Sequence, residues 1–213
     1  MIEVSEQKKP MVVLICLVLI AASVIWMFAR GCSRAPKADT RPGEALGTVL
    51  GEETIKLLGG KGQVVVVNMT PNNDPQAAQR PEAVALEKTL KKAGVTIIGK
   101  EQLDMNLEAM NVPADKMVQL INRYPKADVI ISLIGFPVFR DSDLAALPEK
   151  PPKMVGIAWT TAGLKKLLLS QRLQFIIVPR RADRTGQSPK TTRDLFNLYF
   201  EIFTAANANK LPD

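Results

Sequence analysis

The chain has 213 residues, a formal net charge of +7 and no histidine. Histidine is the commonest general base of enzymes and a usual zinc ligand, so its absence argues against histidine-dependent hydrolases and most zinc enzymes. The positive charge is mild and 5% of the residues are aromatic, which does not match the basic surfaces and stacking rings of nucleic-acid-binding proteins. We therefore predict no enzyme activity, no catalytic residue, no metal, no cofactor and no nucleic-acid partner.

An uncharged apolar segment near the N-terminus is the most specific feature of the sequence. It begins at Met11 and ends at Ala29, which is long enough for a helix to cross about 30 Å of hydrocarbon. The segment exceeds the apolar core of a cleaved signal peptide. The sequence therefore predicts a tail over residues 1–10 and a retained transmembrane helix over residues 11–29 that contacts the lipid bilayer. Lipidation of Cys32 stays open, because this thiol directly follows Gly31.

Two patterns of charge disagree about the side of the membrane that holds the rest of the chain. Residues 30–41 contain more lysine and arginine than the N-terminal tail, and the positive-inside rule then favours the cytoplasm. Lys8 and Lys9, however, directly precede the apolar run, as in a signal anchor that exports the domain on its C-terminal side. Both cysteines, Cys16 and Cys32, lie in or beside this run, which suits an oxidising compartment. We expect a single-pass protein of a bacterial inner membrane with its domain in the periplasm.

The remainder of the chain reads as a linker and one domain. Residues 30–43 are polar, contain two prolines and show no periodicity, as is typical of a linker. About 170 residues follow, which is enough for one buried core and too few for two ordinary domains. We predict an α/β domain over residues 44–206 and a C-terminal tail over residues 207–213.

Strands and helices are predicted to alternate along this domain. Five short β-branched runs without polar alternation are typical of strands covered on both faces. Helical spacing of apolar residues, together with Pro81 at a first turn, Gly94 as a left-handed cap and Thr161 as an N-cap, indicates helices between them. The predicted strands cover residues 63–68, 95–99, 127–134, 154–159 and 173–178. The predicted helices cover residues 44–58, 81–93, 113–124, 161–172 and 190–206.

This alternation predicts a three-layer α/β fold. Short links between strand, helix and strand require right-handed crossovers, and these give a parallel sheet with helices on both faces. We expect five parallel strands in the flavodoxin-like order 2-1-3-4-5. Ligands of such sheets bind beyond the carboxyl ends of the strands, where the strand order reverses, which is here between the first and third strands.

The loops after these strands carry amide, hydroxyl, aromatic and guanidinium groups. Together they form a candidate site for a small anionic ligand. The alternative is that the polar residues only make turns and the arginines form a solvated rim. The candidate residues are Asn68, Thr70, Asn72, Phe136, Arg140, Thr160, Thr161, Arg180 and Arg181.

Three segments resemble one lobe of the type I periplasmic binding proteins. They are ADVII at residues 127–131, GFP at 135–137 and KMVGI at 153–157, and the resemblance extends over about residues 64–178. A complete member of that family closes a cleft with a second lobe. The resemblance therefore implies a related lobe shape rather than transport.

Three functions are compatible with these observations. The first is a non-enzymatic, membrane-anchored accessory or assembly subunit of a membrane protein complex, and its partner would be a membrane protein. The alternative is a sensor or receptor domain for a small anion or another solute. The third is an atypical histidine-free enzyme that would depend on Asp74, Asp141 or an arginine.

Overall fold

The computed structural model describes residues 9–31, 39–72, 74–105, 112–180 and 188–211. The chain divides into two compact units, Met1–Asp39 and Thr40–Asp213. The first unit contains helix α1, Lys9–Gly31, whose described side chains, from Leu14 to Trp26, are all exposed. Among the described residues, no helix has both the length and the apolar character needed to cross a lipid bilayer. The membrane span over residues 11–29 stays a prediction.

The second unit is built on a six-stranded sheet with the order β2-β1-β3-β4-β5-β6. Strands β1 to β5 pair in parallel, which confirms the predicted order 2-1-3-4-5, while β6 pairs antiparallel with β5. The strand order reverses between β1 and β3, as expected. The strands are β1 Gln63–Met69, β2 Thr96–Leu103, β3 Val129–Ser132, β4 Lys153–Ile157, β5 Leu173–Pro179 and β6 Phe200–Thr204.

Six helices of this unit cover the two faces of the sheet. Side chains of successive strand residues point to opposite faces, so Val65 and Val67 lie in one core while Val64 and Val66 lie in the other. Helices α4 and α6 pack in the first core, and α2, α3 and α7 pack in the second. The helices are α2 Arg41–Leu58, α3 Pro81–Lys92, α4 Ala114–Arg123, α5 Asp141–Ala145, α6 Leu164–Leu169 and α7 Thr192–Tyr199.

The sixth strand was not predicted, because residues 190–206 read as one helix. The helix α7 begins at a capping box in which the Thr191 hydroxyl accepts from the Asp194 amide, and it ends when Phe200 adopts extended dihedral angles. Residues 200–204 are mainly aromatic and β-branched, which favours a strand beside the open edge of β5. The fold is therefore three-layered and mostly parallel, with one antiparallel strand at its edge.

The structure also differs from the sequence prediction in the burial of β2 and in the start of α6. Strand β2 was predicted to be covered on both faces, but it forms a sheet edge where exposed and half-buried residues alternate. Helix α6 begins at Leu164 rather than at Thr161, because Gly163 adopts a left-handed conformation with φ 75°. Thr161 instead accepts the Leu164 amide with its main-chain oxygen at 3.1 Å. The Thr161 side chain therefore does not cap this helix.

Residues at both ends of the predicted domain belong to the folded unit. Helix α2 begins at Arg41, which lies within the segment 30–43 that was predicted as a linker. Ala208 and Leu211 are buried in the first core, although residues 207–213 were predicted as a tail. A short 3-10 helix, Ala208–Lys210, brings these two side chains inward.

Candidate functional site

The candidate site lies along the edge formed by the carboxyl ends of the parallel strands. On one side of the β1–β3 junction this edge carries the loops after β1 and β2, and on the other it carries the loops after β3, β4 and β5. The candidate residues therefore fall into two groups on either side of the point where the strand order reverses.

The first group lies at the end of β1 and just after it, and its members Asn68 and Thr70 form hydrogen bonds with neighbouring residues of the described chain. The Thr70 amide donates to the Leu103 carbonyl at 3.2 Å, and the Thr70 hydroxyl donates to the Asp104 carboxylate. Asn68 Oδ1 accepts from the amide of Met69 at 2.9 Å. Thr70 thus ties the β1 loop to the end of β2, whereas the hydrogen bond between Asn68 and Met69 is local. Asn72 is exposed beyond them.

The turn after β1 is fixed by Asp74, which sequence reasoning named only for the enzyme hypothesis. The Asp74 amide donates to the Thr70 carbonyl at 2.9 Å. Its carboxylate lies 2.6 Å from Arg80 Nε and accepts from the Gln76 amide at 3.0 Å. The Gln76 amide satisfies Oδ1, whereas Oδ2 is buried next to Arg80 without accepting a hydrogen bond from the described residues. Asp74 therefore holds the turn through Oδ1 and an ion pair.

The loop directly after β3 is buried and fills the point where the strand order reverses. The Ser132 hydroxyl donates to the Gly135 carbonyl at 2.6 Å, and the Leu133 amide donates to the Val67 carbonyl at 3.0 Å. Phe136 is 3% exposed and packs in the first core. Its ring contributes to the fold and offers almost no surface to a ligand.

Arg140, further along this loop, is exposed but has an acidic partner. Its Nε and one terminal nitrogen donate to the two carboxylate oxygens of Asp143 at 3.1 and 3.2 Å. Its amide donates to the same carboxylate at 2.8 Å. These hydrogen bonds lower the pKa of Asp143 and raise the pKa of Arg140. At the start of α5, the Asp143 carboxylate therefore caps the Arg140 amide, and the Asp143 amide donates to the Arg140 carbonyl at 3.0 Å.

Exposed apolar surface also follows strands β3 and β4. Trp159 follows β4 and is 42% exposed, and Val138 in the β3 loop is 51% exposed. The Val138 side chain also approaches α6, since a Cβ atom at Gly163 would lie 3.3 Å from Val138 Cγ1. Thr160 and Thr161 are half-buried next to Trp159. An indole ring, a valine and two hydroxyl groups therefore share this part of the edge.

The last candidate residues follow β5. The Arg180 amide donates to the Tyr199 carbonyl at 2.7 Å, and its guanidinium lies 3.5 Å from Glu201 Oε2 on β6. Arg181 lies outside the described residues. The sequence argument did not name Trp159, Asp143 or Glu201 as site residues. The position of Trp159 directly after a buried strand was a usable signal for that residue.

Two grooves border helix α3. One of about 920 Å³ runs between α2 and α3, and one of about 520 Å³ lies between α3 and β2 and is lined in part by the candidate residue Asn68. Neither includes the exposed residues that follow β3 and β4. In the described part of the chain, no three Cys, Asp or Glu side chains are grouped so as to hold a metal ion.

No family model and no curated protein matches this sequence. Solved structures do match its fold. The fold resembles a lobe of the type I periplasmic binding proteins. An arabinose-binding protein from Geobacillus stearothermophilus has a TM-score of 0.54 and 14% identity over 80% of this chain and 63% of its own.

Two other solute-binding proteins give the same result. An ABC transporter solute-binding protein from Burkholderia graminis, in complex with D-arabinose, has a TM-score of 0.54 and 14% identity over 80% of this chain and 62% of its own. A sugar-binding protein of an ABC transporter from Bacillus halodurans has a TM-score of 0.53 and 14% identity over 80% and 64%. The chain spans less than two thirds of the length of each of these proteins. At this identity the likeness concerns the fold alone.

Proposed function

We propose that the unit Thr40–Asp213 binds a small neutral solute of the sugar class at the carboxyl edge of its sheet. The observation that carries the proposal is the exposed indole of Trp159 directly after β4, at the edge where open parallel sheets bind their ligands. Ligand sites combine aromatic surface with a few polar groups, and Thr160 and Thr161 supply hydroxyls beside the indole. Fold neighbours that are sugar-binding proteins support the same class of ligand.

The charges at this edge favour a neutral ligand over an anion. Arg140 faces Asp143, and Arg180 faces Glu201. Lys166 on α6 lies 2.9 Å from Asp141. Because each of these cations has a carboxylate beside it, an incoming anion would have to displace an existing partner. A polyhydroxylated neutral molecule can accept from the guanidinium groups without that cost.

Solute binding replaces the accessory-subunit role that was predicted first. Its support is that the structural neighbours named above are solute-binding proteins, and nothing in the described unit favours an assembly role over binding. A membrane protein partner remains part of the proposal, since the sheet edge is open and a second protein surface is needed to enclose a solute there. The absence of enzyme activity stays a prediction.

We also propose that residues 11–29 anchor this unit to a bacterial inner membrane, with the unit in the periplasm. The uncharged run from Met11 to Ala29 supports the anchor. Sealed inner-membrane vesicles provide the test. A periplasmic unit is protected from added protease in inside-out vesicles and becomes sensitive after detergent lysis. Digestion of the unit in intact inside-out vesicles would contradict the orientation.

Intrinsic fluorescence tests the ligand site. The full chain contains Trp26 and Trp159 as its two tryptophans, so a Trp26→Phe variant in mild detergent reports on Trp159 alone. Titration with a panel of aldopentoses and aldohexoses is expected to give a saturable change for at least one sugar. Inorganic phosphate and small carboxylates are expected to give none.

Two variants test whether the sugar binds at Trp159. Measured by calorimetry with the sugar that binds, Trp159→Ala is expected to weaken affinity at least about tenfold, because the main apolar contact is lost. Leu169→Ala removes another exposed apolar side chain, 52% exposed on α6, and is expected to leave affinity unchanged. Absence of saturable sugar binding, or an affinity that is unaltered in Trp159→Ala, would overturn the proposed function.

A further inference from the structure

The groove between α2 and α3 exposes apolar surface on the folded unit. It has a volume of about 920 Å³ and is lined along both helices, from Thr40 and Pro81 at one end to Ile55 and Ala93 at the other. Its floor includes Ile55, Val84 and Ala85, and Val84 is 53% exposed. An exposed valine on a helix that otherwise presents lysines to solvent marks apolar surface without a partner in the described chain.

The two walls of the groove carry opposite charges. The α2 wall contributes Glu44 and Glu52, while the α3 wall contributes Lys88 and Lys92. Glu44 accepts from the Thr40 hydroxyl at 2.8 Å. Within the described residues, no ion pair involves Glu52, Lys88 or Lys92. The groove therefore presents one acidic and one basic wall whose charges are available to a partner.

The acidic and basic side chains of the two walls lie level with each other along the axis of the groove. A Cβ atom at Gly43 would lie 3.1 Å from Pro81 Cβ, and one at Gly51 would lie 2.9 Å from Thr89 Cβ. The helices thus run in the same direction, with residue 43 beside residue 81 and residue 51 beside residue 89. Glu52 and Lys88 are the chain neighbours of Gly51 and Thr89. They face each other across the groove at one level.

We propose that this groove is the interface of a symmetric homodimer. A twofold axis that runs along the groove places α3 of the partner subunit over α2, and α2 of the partner subunit over α3, without changing the height of any residue. Glu52 then meets the partner's Lys88, and Lys88 meets the partner's Glu52. The two apolar floors face each other between these ion pairs, which is the arrangement of a self-complementary interface.

Charge complementarity selects a second copy over other occupants. An anionic membrane or a nucleic acid is repelled by the α2 wall, and a cationic surface is repelled by the α3 wall. A second copy supplies both signs at the required spacing. The axis also leaves Arg41 of both copies at the same end of the dimer. If the anchor proposed above is correct, both chains can therefore enter one membrane, which raises their effective concentration.

Charge reversal gives a test that does not involve the sugar site. The mass of the full chain in mild detergent, measured by sedimentation equilibrium across a range of concentrations, is expected to show a monomer–dimer equilibrium. Glu52→Lys and Lys88→Glu are each expected to weaken dimerisation by about tenfold, since each variant places like charges at two symmetric contacts. The double variant Glu52→Lys/Lys88→Glu restores opposite charges and is expected to return to within about threefold of the wild type.

A matched control separates the groove from general surface charge. Lys116→Glu makes the same change on α4, an exposed position on the opposite layer of the sheet, and is expected to leave dimerisation unchanged. Circular dichroism of every variant checks that the fold is retained. A monomer at all concentrations, a dimer that ignores both single reversals, or a double variant that remains weak would overturn the proposal. Sugar binding by a protein that stays monomeric would overturn the dimer while leaving the proposed function intact.

Discussion

Gly47 on α2 lies directly against the main chain of Glu82 on α3. A Cβ atom at Gly47 would stand 2.0 Å from the Glu82 carbonyl oxygen, well inside any tolerable contact. A main-chain oxygen cannot rotate away as a side chain can, so the close approach of the two helices depends on glycine at this position. The groove between them exists in its present form because α2 and α3 meet here backbone to backbone.

Gly47→Ala is expected to lower the free energy of unfolding by about 2 kcal/mol, because overpacking outweighs the better helix propensity of alanine. Urea unfolding of the full chain in mild detergent, followed by circular dichroism, measures the change. Gly43→Ala is the matched control. Its Cβ atom would lie 3.1 Å from the Glu82 carboxylate and from Pro81 Cβ, and the expected loss is below about 1 kcal/mol. A variant Gly47→Ala that is as stable as the wild type would contradict the contact.

Phe136 tests whether the β3 loop serves the core or a ligand. Because its ring is buried in the first core, Phe136→Ala is expected to cost about 3–5 kcal/mol of unfolding free energy. Thr160→Ala at the same edge is expected to change stability by less than about 1 kcal/mol. Chemical denaturation measures both variants. A small stability loss for Phe136→Ala together with a large loss of sugar affinity would assign the ring to the binding site instead.

Glu53 joins α2 to α7 and makes stability depend on pH. Burial raises its pKa, but hydrogen bonds from Lys56 at 3.0 Å and from Arg193 at 2.9 Å outweigh that effect and leave the pKa below the ordinary value of 4.5. The folded state therefore favours the ionised form. The stabilisation by ionised Glu53 is complete at pH values above the pKa of Glu53 in the unfolded chain. It is lost as the pH falls through the lower pKa that Glu53 has in the folded protein.

Glu53→Gln is accordingly expected to destabilise the protein by up to about 1 kcal/mol near neutral pH and by much less once the pH lies below the lowered pKa of the folded state. Urea midpoints of the wild type and the variant across this range provide the measurement. Arg193→Gln is expected to reduce the effect of Glu53→Gln when the two are combined, because they share one interaction. Equal losses at neutral and acidic pH would show that the ion pairs do not stabilise the folded state.

The strand order was predictable because the inner strands have one simple pattern. Residues 64–67 are four valines without polar alternation, which fits a strand with helices on both faces. Crossover handedness then limits the possible orders. The antiparallel edge strand β6 escaped the same argument. In β6, Ile202 continues the helical spacing of Leu195, Leu198 and Tyr199, so local spacing alone cannot separate the helix from the strand after it.

The position of the candidate residues in the fold was predictable, but their charged partners were not. The place of Arg140 and Arg180 after β3 and β5 put both at the carboxyl edge. Their partners depended on tertiary geometry, since Glu201 lay in a segment read as helix and reaches Arg180 through the β5–β6 pairing. The positive charge of the arginines alone therefore predicted an anion site. Their pairing with carboxylates supports the neutral ligand proposed above.

The antiparallel strand β6 has a consequence for the integrity of the whole molecule. It occupies the hydrogen-bonding side of β5, where Ile176 and Ile177 pair with Phe203 and Ile202. In a chain shortened before Phe200, the apolar hydrogen-bonding edge of β5 would be exposed to solvent, and two such molecules could pair edge to edge. Because β6 is itself the edge strand, its removal would make β5, with three consecutive buried residues, the new edge of the sheet and would favour aggregation.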